Sequence, residues 1–199
     1  MSVDVLAMAQ GWDQQVHAAR QTDVIGDILG TAAAAVEALE AVMGRPADPG
    51  SDQEAALMIL RKITYNSAAD AYPGWAADAP PRSAAELDAA ARLARKSLSL
   101  VEELQEDVEN YGHAVWLIGA IALAQGERTA ALAEFRKAAA FFAQADAPLM
   151  VALAEGYAGM AAGDAAAFAA AQAKVSPEDE HAQAVVAQLT IGWALYGMR

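Results

Sequence analysis

The helical spacing of apolar residues on an alanine-rich background is the feature that most limits the fold of this chain. About a quarter of its 199 residues are alanine, the residue with the highest helix propensity. Runs rich in Val, Ile and Thr that alternate strictly with polar residues, as half-buried strands require, are missing from the sequence. The sequence therefore predicts an all-α fold.

Capping residues and helix breakers divide this pattern into about nine helices. Ser83 and Glu86 have the spacing of a capping box, in which each side chain accepts a hydrogen bond from the other residue's backbone N–H. Two connections, 45–51 and 72–83, are long and contain proline, whereas the others have about two to five residues and predict antiparallel helical hairpins. The expected helices span roughly 3–20, 23–43, 52–71, 84–105, 109–125, 128–143, 148–162, 165–174 and 178–197.

The two long connections also suggest how the chain is organised. Residues 1–44 are expected to form an N-terminal helical hairpin, and residues 51–199 a region of stacked hairpins that ends in a capping helix. Because a chain of this length can fold around a single core, we expect both parts to belong to one compact domain.

Charge and composition exclude several classes of partner. The formal net charge is −13, with 13 basic residues against 26 acidic ones, which disfavours nucleic acid as a partner. The longest uninterrupted apolar run, 114–124, is too short to span a bilayer, so we expect no membrane partner. The sequence has no cysteine, and its N-terminus lacks the basic start of a secretory signal. We therefore expect a cytoplasmic protein.

Two stretches of the sequence are similar to each other. WLIGAIALAQGERTAALAEFRKAA begins at Trp116 and LAEGYAGMAAGDAAAFAAAQ begins at Leu153, and each carries two glycines seven residues apart, followed by an acid. The first glycine of a pair lets a neighbouring helix approach closely, and the second adopts the left-handed conformation of a tight turn between helices. These glycines are Gly119, Gly126, Gly156 and Gly163.

This pattern resembles the tetratricopeptide repeat, a helical hairpin of about 34 residues. The resemblance covers roughly 52–175. Its middle unit departs from the family at Ala122, where an aromatic residue is preferred, and at the terminal proline, which comes late at Pro148. The next unit has Phe168 where a small residue is expected. The middle unit, 113–146, matches at Ile118, Gly119, Gly126, Ala131, Phe135 and Ala138.

The resemblance implies stacked hairpins whose first helices line a concave face that binds a peptide or a partner protein. In this chain that face would be apolar and rich in methionine and aromatic side chains, which suits an amphipathic partner segment. The alternative is that the N-terminal helices or the last helix fill the groove as ordinary core. The implied groove residues are His113, Trp116, Leu123, Met150, Leu153, Tyr157 and Met160.

A pair of polar residues next to the second proline-rich connection is another candidate site. Asn66 and Asp70 lie four residues apart on one predicted helix face, and Trp75 follows a Pro-Gly break. In one interpretation the two polar side chains anchor the backbone of a partner, with Trp75 packed over it. In the other, Asn66 and Asp70 hydrogen-bond the loop 72–82 and satisfy its backbone where it crosses the helix end.

Motifs of catalysis, of metal binding and of cofactor binding are missing from the sequence. The three histidines, His17, His113 and His181, have no metal-ligand spacing, and no phosphate-binding loop or nucleophile elbow is present. The leading hypothesis is therefore a non-catalytic adaptor that binds a protein or peptide, without a metal or cofactor.

Two other functions are compatible with the sequence. One is a small-ligand binder or enzyme whose pocket lies under the loop 72–82, with Asp70 and His113 as its ionisable pair. The other is a structural homodimer joined through the helix at 23–43 or through the last helix. Gly26 and Gly30 form a G-x-x-x-G step in the former helix, which predicts a close helix crossing within or between chains.

Overall fold

The computed structural model describes residues 4–43, 51–175 and 180–197, and within these ranges the chain is helical and contains no strand. The all-α prediction is confirmed. None of the described helices is both long enough and apolar enough to cross a bilayer. A 3-10 turn, Pro73–Trp75, and a π-helical turn, Trp193–Gly197, accompany the helices. The helices are α1 (Val5–Arg20), α2 (Ile25–Met43), α3 (Ser51–Ala71), α4 (Ala84–Glu103), α5 (Val108–Ala124), α6 (Arg128–Gln144), α7 (Pro148–Ala162), α8 (Ala165–Gln172) and α9 (Glu180–Gly192).

The first eight helices pack sequentially, each one against the next along the chain. The N-terminal hairpin continues this packing, because α1 also lies on α3 and α2 also lies on α4. The predicted solenoid-like arrangement of neighbouring helices is therefore confirmed. The predicted boundary after residue 44 lies outside the described residues.

The glycine pattern of the repeat has the structural role that the sequence indicates. A Cβ atom added at Gly119 would lie 3.0 Å from the ring of Phe135, so the glycine allows α5 and α6 to pack closely. Gly126 and Gly163 have φ angles of +82° and +69°, in the left-handed region that tight inter-helix turns use. The inward face of α6 carries Ala131, Phe135 and Ala138, all fully buried.

The capping box of α4 forms as predicted. The Ser83 N–H donates to Oε2 of Glu86 at 2.7 Å, and the Glu86 N–H donates to Oγ of Ser83 at 3.2 Å. These bonds satisfy two backbone donors that the helix itself leaves free. Hydrogen bonds from Ser83 also lower the pKa of the Glu86 carboxyl below its usual range.

Among the described residues, no helix crosses closely at Gly26 and Gly30. A Cβ atom added at either glycine would have no neighbour within 4 Å among the described residues. The two glycines are exposed on α2, and the buried Ile28, two residues from each of them, lies on the opposite side of the helix.

The last helix departs from the sequential order. Among the described elements, α9 packs on α7 and on the turn Pro73–Trp75, and the π-helical turn that follows it also packs on α7. The chain therefore returns over α7 and over the proline-rich turn, which itself packs on α5.

Candidate functional site

The groove residues predicted from the repeat lie mostly inside the protein. His113 and Met150 are half-buried. The open groove that the resemblance implies is not present, because α9 and the turn Pro73–Trp75 cover this face and remove its apolar surface from water. The other five residues are at most 3% exposed and are Trp116, Leu123, Leu153, Tyr157 and Met160.

We call the covered surface the inner face and define it by Trp116 of α5 and by Gly156, Tyr157 and Met160 of α7. Aromatic rings dominate it: Trp116 and Tyr157 meet edge to face, with ring centroids 5.2 Å apart. Trp75 lies over Trp116 with its centroid at 5.9 Å. The inner face is thus continuous with the proline-rich turn.

The α9 helix lies on the inner face in the way that an amphipathic peptide binds a groove. Its buried side chains are Ala182, Val185 and Leu189, at positions i, i+3 and i+7. Leu189 fills a notch at Gly156, where an added Cβ atom would come within 2.4 Å of the leucine side chain. Gly192 faces Met160, whose sulfur would lie 3.0 Å from an added Cβ atom. Glycine therefore permits the close approach on both sides.

The hydroxyl groups of three tyrosines add polar contacts to the apolar contacts at the inner face. Tyr72 donates a hydrogen bond to the hydroxyl of Tyr157 at 3.2 Å, and both rings are buried. Tyr196, from the turn after α9, stacks on Tyr72 with centroids 6.4 Å apart and hydrogen-bonds with it through its side chain. Burial raises the pKa of Tyr157 to about 12 and that of Tyr72 well above its ordinary value. The hydroxyl groups of Tyr72 and Tyr157 are therefore neutral near neutral pH.

We call α9 together with the π-helical turn Trp193–Gly197 the C-terminal segment. Arg128, the first residue of α6, binds the end of this segment. Its Nε donates to the carbonyl of Ala161 at 3.1 Å, and Nη2 donates to the carbonyl of Met160. Nη1 donates to the carbonyl of Tyr196 at 2.9 Å. One guanidinium group thus binds the carboxyl ends of α7 and of the C-terminal turn.

His113 lies apart from the inner face, in a separate cleft of about 210 Å³ between α3, α4 and α5. Its Nε2 is 3.8 Å from the Glu109 carboxylate, and its ring meets Phe142 edge to face at 5.1 Å. Burial is the main cause that lowers the pKa of His113, although Glu109 opposes it. The residues that line the cleft are Arg61, Tyr65, Val101, Asn110, His113 and Ala114.

Asp70 is used in another way than predicted. Its carboxylate pairs with Nε of Arg20 at 2.6 Å, so it fastens α1 to α3 and does not bind the loop 72–82. Asn66 is half-buried on α3, and within the described ranges its side chain makes no hydrogen bond to that loop. The described contacts therefore do not include the hydrogen bonds of Asn66 and Asp70 to the loop that the second interpretation requires, and the first, a pair that anchors a partner, stays a prediction.

The loop is held by its own residues. The indole N–H of Trp75 donates to the carbonyl of Ala69 at 2.7 Å, and Nε of Arg82 donates to the carbonyl of Ala71 at 3.3 Å. Gly74 packs against the ring of Tyr72, which leaves no room for a side chain. Trp75 stays 46% exposed, the only one of the three secondary site residues that presents a large apolar surface to solvent.

A cleft of about 230 Å³ does lie under this loop, but it lacks the predicted ionisable pair. Neither Asp70 nor His113 lines it, and the two side chains have different partners, Arg20 and Glu109. The lining is mainly apolar and consists of Pro73, Ala79, Pro81, Arg82, Leu87, Ala124, Leu195 and Tyr196. Within the described ranges no group of His, Asp and Glu side chains has the arrangement of a metal site.

No family model, curated protein or solved structure matches this chain. The structure establishes stacked neighbouring helices, whereas membership of the tetratricopeptide family stays a prediction.

The sequence reasoning missed the residues that hold the C-terminal segment. Leu189 belongs to an i, i+3, i+7 pattern that a search for an amphipathic binding helix could have found. Arg128 gave no signal, because a cation in the first turn of a helix usually marks only an exposed surface position. Its role depends on contacts 32 to 68 residues away in the sequence.

Proposed function

We propose that this protein is a non-catalytic adaptor that binds an amphipathic helix of a partner protein on the inner face, in place of its own α9. In this proposal the tetratricopeptide-like hairpins α5–α6 and α7–α8 are the scaffold, and α9 occupies the site when no partner is present. The absence of cysteine favours the cytoplasm as its compartment.

The packing of α9 on the inner face is the observation that supports this proposal most strongly. The first eight helices follow one another in space, but α9 returns and lies over α7 with anchors at i, i+3 and i+7. Helix-binding grooves recognise their ligands through this spacing. A surface that accepts α9 has the shape and the apolar character to accept a similar helix from another protein.

The inner face also has a buried polar group that no described residue satisfies. The indole N–H of Trp116 is buried, and none of the described residues accepts a hydrogen bond from it. Burying such a donor without a partner costs about 1–3 kcal/mol. A partner segment that carries a hydroxyl or amide oxygen within reach of Trp116 would gain a bond that none of the described residues makes.

The chemistry of the partner follows from α9 and from the charge of the chain. We expect a helix with a small residue at its first anchor and a leucine at its last, as Ala182 and Leu189 are in α9. Since the chain has a net charge of −13, the exposed face of the partner helix should be basic. Catalysis is not part of the proposal, because the described clefts bring no acid and base together at the inner face.

A peptide that copies the C-terminal segment tests the proposal. A fluorescent peptide of residues 180–197, EHAQAVVAQLTIGWALYG, is titrated with the full-length chain and with its Leu189→Ala variant, and binding is followed by anisotropy. The attached α9 competes at an effective concentration in the millimolar range, so the wild-type chain should bind weakly. Leu189→Ala loosens the attached helix and should bind the peptide at least about tenfold more tightly.

Two controls make the result specific. The Thr190→Ala chain changes an exposed residue of the same helix and should bind the peptide like wild type. A peptide with Leu189→Asp should bind neither chain, since a charge cannot enter the Gly156 notch. If the Leu189→Ala chain folds but does not bind the unmodified peptide, the adaptor proposal is wrong. If that chain instead forms dimers that exchange α9, as measured by light scattering, self-assembly replaces it.

A further inference from the structure

The direction of α9 on the inner face can be read from three pairs of positions. Leu189 lies at Gly156, and Gly192 lies at Met160. The carbonyls of Tyr196 and Ala161 bind the same guanidinium group of Arg128. Residue numbers rise together along both helices, so the C-terminal segment runs parallel to α7.

Parallel packing of this kind has an electrostatic cost. The carboxyl end of each helix carries a partial negative charge of about half an electron, from carbonyl groups without a partner in the helix. In the parallel arrangement the ends of α7 and of the docked segment lie side by side, and these charges repel each other. An antiparallel helix would place its positive amino end there instead, whereas a parallel helix is stabilised there by a nearby cation.

Arg128 supplies that cation. Its three donors bind Met160 and Ala161 at the end of α7 and Tyr196 at the end of the docked segment. The other basic residues of the described ranges are not bonded to these carbonyls. A planar guanidinium group fits this role, because it bonds several acceptors in fixed directions.

We infer that Arg128 selects the direction and the end point of any helix that docks on the inner face. A helix bound there runs parallel to α7 and ends at Arg128, where its last carbonyl groups are free to accept. This inference rests on the proposed function and narrows the partner class: the binding segment must end about two turns after its last anchor, as Tyr196 follows Leu189. A helix that continues would leave Nη1 of Arg128 without an acceptor.

A double-mutant cycle tests this role in peptide binding. The Leu189→Ala chain and the Leu189→Ala, Arg128→Met chain are each titrated with the peptide 180–197 and with the same peptide carrying an ester between Tyr196 and Gly197. The ester weakens the Tyr196 carbonyl as an acceptor by changing a single atom. Arg128→Met should lower the affinity for the amide peptide about tenfold, and for the ester peptide by a much smaller factor.

The cycle distinguishes two roles of Arg128: binding of the Tyr196 carbonyl of the peptide, and support of the end of α7. If Arg128→Met lowers the affinity for both peptides by the same factor, Arg128 only supports the end of α7, and the inference is wrong. Arg128→Lys keeps the positive charge but loses the planar set of guanidinium donors. In the Leu189→Ala background, its affinity for the amide peptide should lie between those of the chains with Arg128 and with Arg128→Met. If the chain with the single Leu189→Ala change binds no peptide at all, the proposed function fails and the next measurement decides the role of Arg128.

That measurement uses the attached helix. In the full-length chain without other changes, Arg128→Met should speed amide hydrogen exchange in 189–197 by about tenfold, while exchange in α5 stays the same. Unchanged exchange in 189–197 would show that Arg128 does not hold the docked end, whether or not a partner helix binds. Circular dichroism of the same sample verifies that the chain is folded.

Discussion

Two regions of the molecule are held together by different means: the stack α5–α6–α7, and the C-terminal segment formed by α9 and the turn after it. The stack is joined through continuous apolar faces, in which Leu117, Ile121 and Phe135 are fully buried. The C-terminal segment is held by three apolar anchors, two glycine contacts, the stacking of Trp193 on Phe168 of α8, tyrosine hydroxyl groups and Arg128. The anchors of the segment join the same apolar core as the stack, but they are few and discrete, whereas the stack is joined along whole helix faces.

This difference predicts that the two regions can come apart at different free energies. Apolar contacts spread over whole helix faces are lost only when the stack unfolds, because each side chain touches several others. Discrete anchors can be broken one at a time, and the face beneath them would then be free for another helix. A substitution in one region should therefore leave the stability of the other region largely unchanged.

The largest effect is expected from Phe135→Ala, in the stack. Phe135 is fully buried and contacts Trp116, Tyr157 and the Gly119 backbone region, so truncation leaves a cavity. We expect the free energy of unfolding to fall by about 3–5 kcal/mol, measured by urea denaturation. Met58→Ala, at a 54% exposed position, is the control and should change it by less than about 0.5 kcal/mol. A Phe135→Ala chain as stable as the control would show that the stack is not a single packed core.

Leu189→Ala should have a smaller and local effect. Losing the side chain that fills the Gly156 notch should make opening of α9 easier by about 2–4 kcal/mol. Limited proteolysis followed by mass spectrometry should then show faster cleavage within 180–197, with α5–α7 still resistant. Equal acceleration of cleavage in both regions would mean that they unfold together, and the comparison drawn above would fail.

Two glycines of α7 contact different regions of the molecule: Gly159 packs against α8, and Gly156 packs against the C-terminal segment. A Cβ atom at Gly159 would lie 2.7 Å from the backbone nitrogen of Phe168, which cannot move independently, so Gly159→Ala should destabilise the stack by about 1–3 kcal/mol. At Gly156 the obstacle is the end of the flexible Leu189 side chain, and Gly156→Ala should disturb only α9. Thermal unfolding and proteolysis of both variants check this, and a larger loss of melting temperature for Gly156→Ala would reverse the assignment.

The smallest effect is expected from alkaline pH. The pKa of Tyr157 is raised from 10 in the unfolded chain to about 12 in the folded one, so the folded state retains the proton that the unfolded state loses. Its stabilising contribution is present below pH 10 and decreases between pH 10 and 12, by about 1.4 kcal/mol per unit. Tyr157→Phe should flatten this slope in urea titrations at pH 9 to 11. The same slope in both chains would assign the pH dependence to other groups.

Those parts of the fold that depend on local signals could be predicted from the sequence. The hairpin α5–α6 is marked by the left-handed turn at Gly126 and by the alternation of small and large residues around Phe135, all within one repeat. The capping box at Ser83 and Glu86 is equally local. Such features are set by neighbours in the chain, and a single sequence contains them.

The candidate site could not be predicted in the same way, because its contacts join distant residues. Tyr72 and Tyr157 are 85 residues apart in sequence, and Arg128 and Tyr196 are 68 apart. The groove residues Trp116 and Tyr157 were found, but their burial was left open, since the pattern of an apolar face does not say what covers it. Asp70 was placed at the loop because the loop is near in sequence, whereas its partner is Arg20 in α1.

Amide hydrogen exchange of the unmodified chain under native conditions tests the central claim most directly. The account predicts that amides of 182–192 exchange through a local opening whose free energy lies clearly below that of global unfolding. It also predicts that amides of α5 and α7 exchange only through global unfolding. If the amides of α9 and of α7 share one opening free energy, equal to the global value, α9 is an inseparable part of the core and the inner face does not receive a partner helix.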